Sequence, residues 1–228
     1  MLNTLGVIDV ERDAFGGPAQ AGRKVGGKSV VEWVVRRATD CQRLDGVVVA
    51  LPDTSEGRSW GKAAPPETPV HYSSKTDALA RSLDVARRYS ARAIVRISAH
   101  SFFVDPVLVD RLVNTARTRV GCDYIGYAGH DGRPAAATAK GLFAEWVRVE
   151  ALERAEREAH ALADREQVSR YIYFRPEEFG VLLLPTDVNT ADVGRKLDRV
   201  DHWELAETIY DALGPEEWDW HRVVSLVA

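Results

Sequence analysis

Arg12, Arg23 and Lys24 stand in one stretch of small residues near the start of the chain, RDAFGGPAQAGRKVGGK at 12–28. Cations on a glycine-rich backbone can wrap phosphate oxygens with charge-assisted hydrogen bonds. The stretch carries neither GxGxxG nor GxxxxGK[ST], so the dinucleotide fingerprint and the P-loop are both absent. Further along, His100 follows an apolar run and either donates to a phosphate or hydrogen-bonds within its own loop. Asp105 stands directly before Pro106 and reads as a helix N-cap. Asp77 and Arg81 are spaced i,i+4, as ligand contacts or as a surface pair worth a few tenths of a kcal/mol, roughly. Asp198 is a lone aspartate that either caps the following helix or serves as a ligand. Cys41 and Cys122 form no CxxC or Cys/His cluster, which excludes structural zinc and a disulfide scaffold. Both sit in apolar contexts and are expected to be inert core thiols. The remaining histidines, at 71, 130, 160, 202 and 221, are scattered and receive no role.

The elements that must position these side chains are short and alternate in kind. Leu5–Val10, Gly46–Leu51 and Ala93–Ile97 are apolar runs rich in β-branched residues and too short for helices, so they read as buried parallel strands. Helical spacing separates them, at Ser29–Thr39, at Asp77–Tyr89 and from Pro106 onward. Strand and helix in alternation predict βαβ units around a parallel sheet. Asp123–Tyr127 and Gly180–Leu184 read as further strands, and Lys140–Val149 as a weakly alternating extended piece. Asp131-Gly132 is a turn signal. Glu150–Ala163 reads as a charged helix with one solvated face. Val200–Leu213 and Trp218–Leu226 read as amphipathic helices, and Thr54–Pro69 as a connecting loop. In such sheets ligands bind beyond the carboxyl ends of the strands. That rule nominates the loops at 11–24, 52–56 and 98–105.

Length and charge narrow the class. The 228 residues carry a formal net charge of -4, so no global basic footprint for nucleic acid is present. No apolar run reaches the ~18 residues of a membrane span. The N-terminal run MLNTLGVIDVERD lacks the charge and apolar pattern of a signal peptide. The expectation is one cytoplasmic α/β domain spanning 1–228.

Six blocks carry a family likeness. They are GGKSVVEWVVRR at 26–37, DALARSLDVARRYSARAIVRIS at 77–98, VDPVLVDRLV at 104–113, GLFAEWVRVEALERAEREA at 141–159, DREQVSRYIYFRPEEF at 164–179 and KLDRVDHWELAETIYDALG at 196–214. In order and spacing they resemble the cytidylyltransferases of the spore-coat polysaccharide F type, relatives of the CMP-KDO and CMP-sialate synthetases. The resemblance covers nearly the whole chain. It implies a three-layer α/β/α sandwich with a mostly parallel central sheet, the glycosyltransferase-A-like nucleotidyltransferase fold. It implies a nucleotide-binding half at about 1–120 and an acceptor and dimerisation half at about 121–228. The segment 135–150 would pack against a second subunit in a homodimer. The implied reaction moves a nucleoside monophosphate, CMP from CTP, to an acidic sugar or other small acceptor, in a polysaccharide or secondary-metabolite pathway.

The resemblance also distributes roles. Arg12, His100 and Asp198 take the catalytic positions, and Asp198 is the metal ligand, for magnesium. Arg12, Gly16, Gly17, Gln20, Arg23, Lys24, Ser74, Asp77, Arg81 and His100 take the nucleotide side. Phe143, Glu145 and Arg165 take the acceptor side. The chain departs from the family at three points. The loop's arginine and lysine fall on Gly16 and Gln20, the strand-end aspartate on His100, and an acceptor-side aspartate on Phe143. Loss of loop cations and of a metal-binding aspartate together frames the alternative, a non-catalytic or repurposed homologue that binds a partner in a biosynthetic pathway.

Overall fold

A computed structural model describes residues 2–10, 24–129, 131–138, 141–186, 202–214 and 219–227. The first half follows the strand–helix rhythm. β1 (Leu2–Asp9) leads to a two-strand hairpin, β2 (Lys24–Val25) and β3 (Lys28–Ser29), and then to α1 (Val30–Thr39). β4 (Val47–Pro52), α2 (Ser55–Gly61), β5 (Val70–Ser73), α3 (Ala78–Arg88), β6 (Ala91–Ser98) and α4 (Pro106–Thr118) follow. Side chains close the helix starts. Ser29 accepts from Glu32 N–H, Asp77 from Ala80 N–H, and Asp105 from Val107 and Leu108 N–H. Asp105 also accepts from Trp220 N–H at 2.9 Å, so the N-cap ties a distant helix to α4.

The second half supplies β7 (Tyr124–Tyr127), α5 (Ala135–Thr138), β8 (Glu145–Arg148), α6 (Val149–Glu158), α7 (Leu162–Glu166), α8 (Arg170–Tyr173), β9 (Val181–Leu184), α9 (His202–Leu213) and α10 (Trp220–Val227). The seven-stranded sheet runs β5-β4-β1-β6-β8-β7-β9. Only β8 is antiparallel to its neighbours. One face packs Ile8, Val49 and Val95 under Val34 of α1 and Leu112 of α4. The other packs Val7, Val48 and Ile94 under Leu79 and Leu83 of α3 and Leu152 of α6. Three layers result, as an apolar sheet covered on both faces requires.

Three local expectations are corrected. The stretch 54–69 is not wholly loop, because α2 forms in it. Thr54 caps that helix through Gly57 N–H, and Trp60 is buried at 1 % exposure. A Cβ at Gly57 would stand 2.0 Å from the carbonyl oxygen of Pro52, so the helix lies against β4 only with glycine there. The charged helix expected over 150–163 breaks after Glu158. The chain runs extended at Ala159, and Arg165 reaches back to the carbonyl of Glu156 at 2.8 Å and the carboxylate of Asp77 at 2.8 Å. Those two bonds hold α7 as a separate turn. The extended piece expected at 140–149 is narrower, and it is an interior strand, β8, between β6 and β7.

The hairpin before α1 is fixed by aromatic packing. Gly26 has φ +55° and a Cβ there would stand 2.2 Å from the Tyr210 ring. Tyr210 in turn lies 5.8 Å from Trp33, whose indole N–H donates to the Val25 carbonyl at 2.8 Å. Gly26→Ala should therefore lower stability by ~1–3 kcal/mol, combining left-handed strain with overpacking. Urea unfolding measures this.

Candidate functional site

The carboxyl ends of β1 and β6 meet over a buried chain of charge. Asp9, the last residue of β1, has no solvent exposure. One carboxylate oxygen accepts from Arg81 of α3 at 2.9 Å. The other accepts from Arg96 of β6 at 3.2 and 3.3 Å. Arg96 also donates to Glu145 of β8 at 3.2 Å. The second oxygen of Glu145 accepts from the Tyr124 hydroxyl at 2.9 Å and the Ser169 hydroxyl at 2.7 Å. All four charged side chains are buried. Two carboxylates thus face two guanidiniums, the balance that lets charges stay inside a protein.

Strand register explains the convergence. Arg96 pairs with Glu145 across β6 and β8, and Asp9 with Ser98 across β1 and β6. Side chains alternate faces, so Asp9 shares the α3 face with Leu5 and Val7. Burial first, and then the charge of Glu145, push the Tyr124 phenol far above its ordinary value, so its hydroxyl stays a donor. The Ala99 N–H donates to the Asp9 carbonyl at 3.0 Å, fastening the turn after β6 to β1. Among the described residues the Arg81 Nε has no hydrogen-bond partner although it is buried.

The sequence-predicted residues divide into groups. Arg12, Gly16, Gly17, Gln20, Arg23 and Asp198 lie outside the described residues. Lys24 is exposed at the start of β2. Arg81 and Glu145 join the buried network. Asp77 caps α3 and pairs with Arg165 at 2.8 Å, while Arg81 pairs with Asp9, so the expected i,i+4 side-chain pair does not form. Ser74 is exposed beyond β5. Its neighbour Ser73 donates to Asp84 at 2.6 Å, beside His71 at 2.9 Å. Desolvation opposes ionisation of Asp84, but the bonds from Ser73 and His71 outweigh it and hold the carboxyl below its ordinary value. His100 is half-buried in the turn after β6, its N–H donating to the Ser98 hydroxyl at 3.3 Å. Phe143 packs on Tyr127 at 5.5 Å in the opposite core face, apart from Glu145. The thiols of Cys41 and Cys122 are buried and unbridged, and burial raises both above the ordinary thiol value.

Sequence reading passed over Asp9, Arg96, Tyr124 and Ser169. The signal for two of them was present: opposite charges, Asp9 and Arg96, stand inside apolar strands. Nothing local marked Tyr124 or Ser169. A cleft of ≈ 330 Å³ lined by Cys41, Leu44, Val47, Glu67 and Pro69 lies at the other end of the sheet. It opens at the amino ends of β4 and β5, away from the strand ends that carry ligands in this architecture.

Asp9→Asn should destabilise the protein by ~3–5 kcal/mol, because it leaves two buried guanidiniums facing a neutral amide. Chemical denaturation checks this, and a loss under 1 kcal/mol, roughly, would mean the charges are screened by water.

A family model described as cytidylyltransferase matches residues 21–206. An uncharacterized protein of Methanocaldococcus jannaschii is 26% identical over 185 residues, covering 80% of this chain and 72% of that protein. Among solved structures, a cytidylyltransferase from Leptospira borgpetersenii superposes with a TM-score of 0.86 at 16% identity, covering 100% of this chain and 94% of that one. A CMP:2-keto-3-deoxy-manno-octonic acid synthetase complexed with CTP gives 0.59 at 12% identity, covering 81% of this chain and 90% of that one. At such identities the likeness to solved structures establishes the fold. On the family match, which spans most of its length, the chain belongs to the cytidylyltransferase family.

Proposed function

We propose that this protein transfers CMP from CTP to an acidic sugar or other small acceptor and releases pyrophosphate. The family match over 21–206, on a sheet whose carboxyl ends are locked together by Asp9, Arg81 and Arg96, carries the reading. An acceptor oxygen attacks the α-phosphorus, the bond from that phosphorus to the bridging oxygen breaks, and the acceptor proton leaves to solvent. Such a reaction asks the protein for position and for charge compensation more than for covalent chemistry.

In this reading Arg12, Gly16, Gly17, Gln20, Arg23 and Lys24 take the triphosphate side, the cations among them compensating phosphate charge. Ser74, Asp77 and His100 line the nucleotide side. Arg81 and Glu145 act through the buried network, holding β1, β6 and β8 in register beneath the reacting groups. Arg165 fixes Asp77, and Phe143 backs the acceptor side from the core. The described residues do not by themselves make a magnesium site. No three His, Cys, Asp or Glu side chains converge among them, and the Asp9 carboxylate is occupied by guanidinium donors. Asp198, the aspartate assigned to magnesium by resemblance, lies outside them, and no step is written through the metal. The spore-coat F subgroup, the homodimer and a cytoplasmic location belong to the same proposal. Among the described residues no helix is long and apolar enough to cross a membrane.

One observation favours a second reading. Glycine at 16, glutamine at 20 and histidine at 100 stand where the resemblance expects two cations and an acid. A non-catalytic homologue that binds a biosynthetic partner would tolerate all three.

Thermal melting with CTP, ATP, GTP and UTP, with and without magnesium, separates the readings. At a hundredfold excess over Kd, CTP should add ~2.7 kcal/mol and raise Tm by several degrees. No shift with any nucleotide would sink the transferase reading and favour the second. Asp198→Asn should remove the magnesium-dependent part of the shift. An unchanged shift would make Asp198 only a helix cap.

A further inference from the structure

β5 is an edge of the sheet, and among the described residues its one strand partner is β4. Its last residue, Ser73, is buried, whereas residues 74–76 form an exposed turn that leads to α3. Carboxylates hold both ends of that turn. At the far end Asp77 accepts from Ala80 N–H at 2.9 Å and from Arg165 at 2.8 Å. At the near end Asp84 of α3 meets two side chains of β5 with one oxygen. The Ser73 hydroxyl donates to that oxygen at 2.6 Å, and His71 Nε2 lies 2.9 Å from it. The Ser73 oxygen in turn accepts from Lys75 N–H at 3.2 Å, so a serine side chain closes the start of the turn.

An edge strand has ladder bonds on one side only, so its end opens locally unless another element ties it down. Here the tie comes from two directions. Asp53 N–H, beyond β4, donates to the Ser73 carbonyl at 2.8 Å, and Asp84 fastens the Ser73 hydroxyl from α3. Partial burial opposes the charge of Asp84, but the bonds from Ser73 and His71 outweigh it and hold the carboxyl below its ordinary value. Asp84 is therefore an ionised acceptor at neutral pH. A turn fixed at both ends has fewer conformations to give up when a ligand meets it. This turn stands at the carboxyl end of β5, the side on which such an architecture receives ligands. Asp84 acts on it through Ser73.

We propose that Asp84 and Ser73 are positioning residues for the nucleotide, holding the turn 74–76 in the conformation that receives it. The word nucleotide rests on the nucleotidyl-transfer reading, in which Ser74 and Asp77 line the nucleotide side. The sequence assigned no role to His71 or Asp84, which meet only because α3 packs beside β5.

The test uses the full chain, with Asp84→Ala, Ser73→Ala and Asp84→Asn beside the wild type. The quantities read are Kd for CTP with magnesium by calorimetry, Tm without nucleotide, and amide exchange at Lys75 by NMR. Asp84→Ala and Ser73→Ala should each weaken CTP about tenfold, the scale of one hydrogen bond to a charged group. Both should speed exchange at Lys75 before any nucleotide is added. Asp84→Asn keeps an oxygen for the Ser73 hydroxyl and should recover most of the affinity. A lower Tm with an unchanged Kd for CTP would reduce Asp84 to a structural tie and overturn the positioning role. Unchanged exchange at Lys75, or equal loss of affinity in Asp84→Asn and Asp84→Ala, would overturn it too. A wild type that binds no CTP would overturn the transferase reading and this role together. Equal binding of CTP by the wild type and all three variants would overturn this role alone.

Discussion

A carboxylate buried at the end of a strand must find cations or give up its charge, and Asp9 finds two. Arg81 comes from the helix above the sheet and Arg96 from the neighbouring strand. Because Arg96 also engages Glu145, the antiparallel strand β8 is drawn against β6 in one register. Hydroxyls of Tyr124 and Ser169 complete the second carboxylate. Remove any charged member and its partners remain buried without compensation, so the network specifies its own geometry more strongly than it adds stability. The layers around it are ordinary apolar packing, which would tolerate several nearby arrangements.

That geometry has a direction. The charges sit at the carboxyl ends of β1 and β6, beneath the loops in which this architecture places its ligands. From there the contacts lead outward along two paths. One passes through Asp77 and Arg165 to the start of α3. The other passes through Tyr124 and Tyr173 to the arginine-flanked ring of Phe174. A cytidylyltransferase must hold two substrates in line, and a rigid base beneath the strand ends is what such positioning needs.

Much of this was legible in the sequence. The β-branched runs became β1, β4 and β6, and Asp105 became the N-cap of α4 because a short polar side chain satisfies the first free N–H groups. What depended on tertiary contact was hidden. β8 owes its interior place to pairing with two strands, and α2 owes its existence to Trp60 buried against β4. The break after Glu158 comes from a bond between Arg165 and Asp77, 88 residues apart. For the site, charges inside apolar strands announced that something was buried, but Asp9 and Arg81 are 72 residues apart and no local pattern joins them. The family blocks gave function its direction, while the part played by Tyr124 and Ser169 emerged only when the fold brought them to Glu145.

Amide hydrogen exchange with and without CTP and magnesium tests most directly whether nucleotide is handled at these strand ends. Protection should appear in peptides spanning the end of β1, the turn 98–103 after β6 and the start of α3. No protection there, or protection confined to the cleft at Cys41, Leu44 and Pro69 at the opposite end of the sheet, would contradict the account.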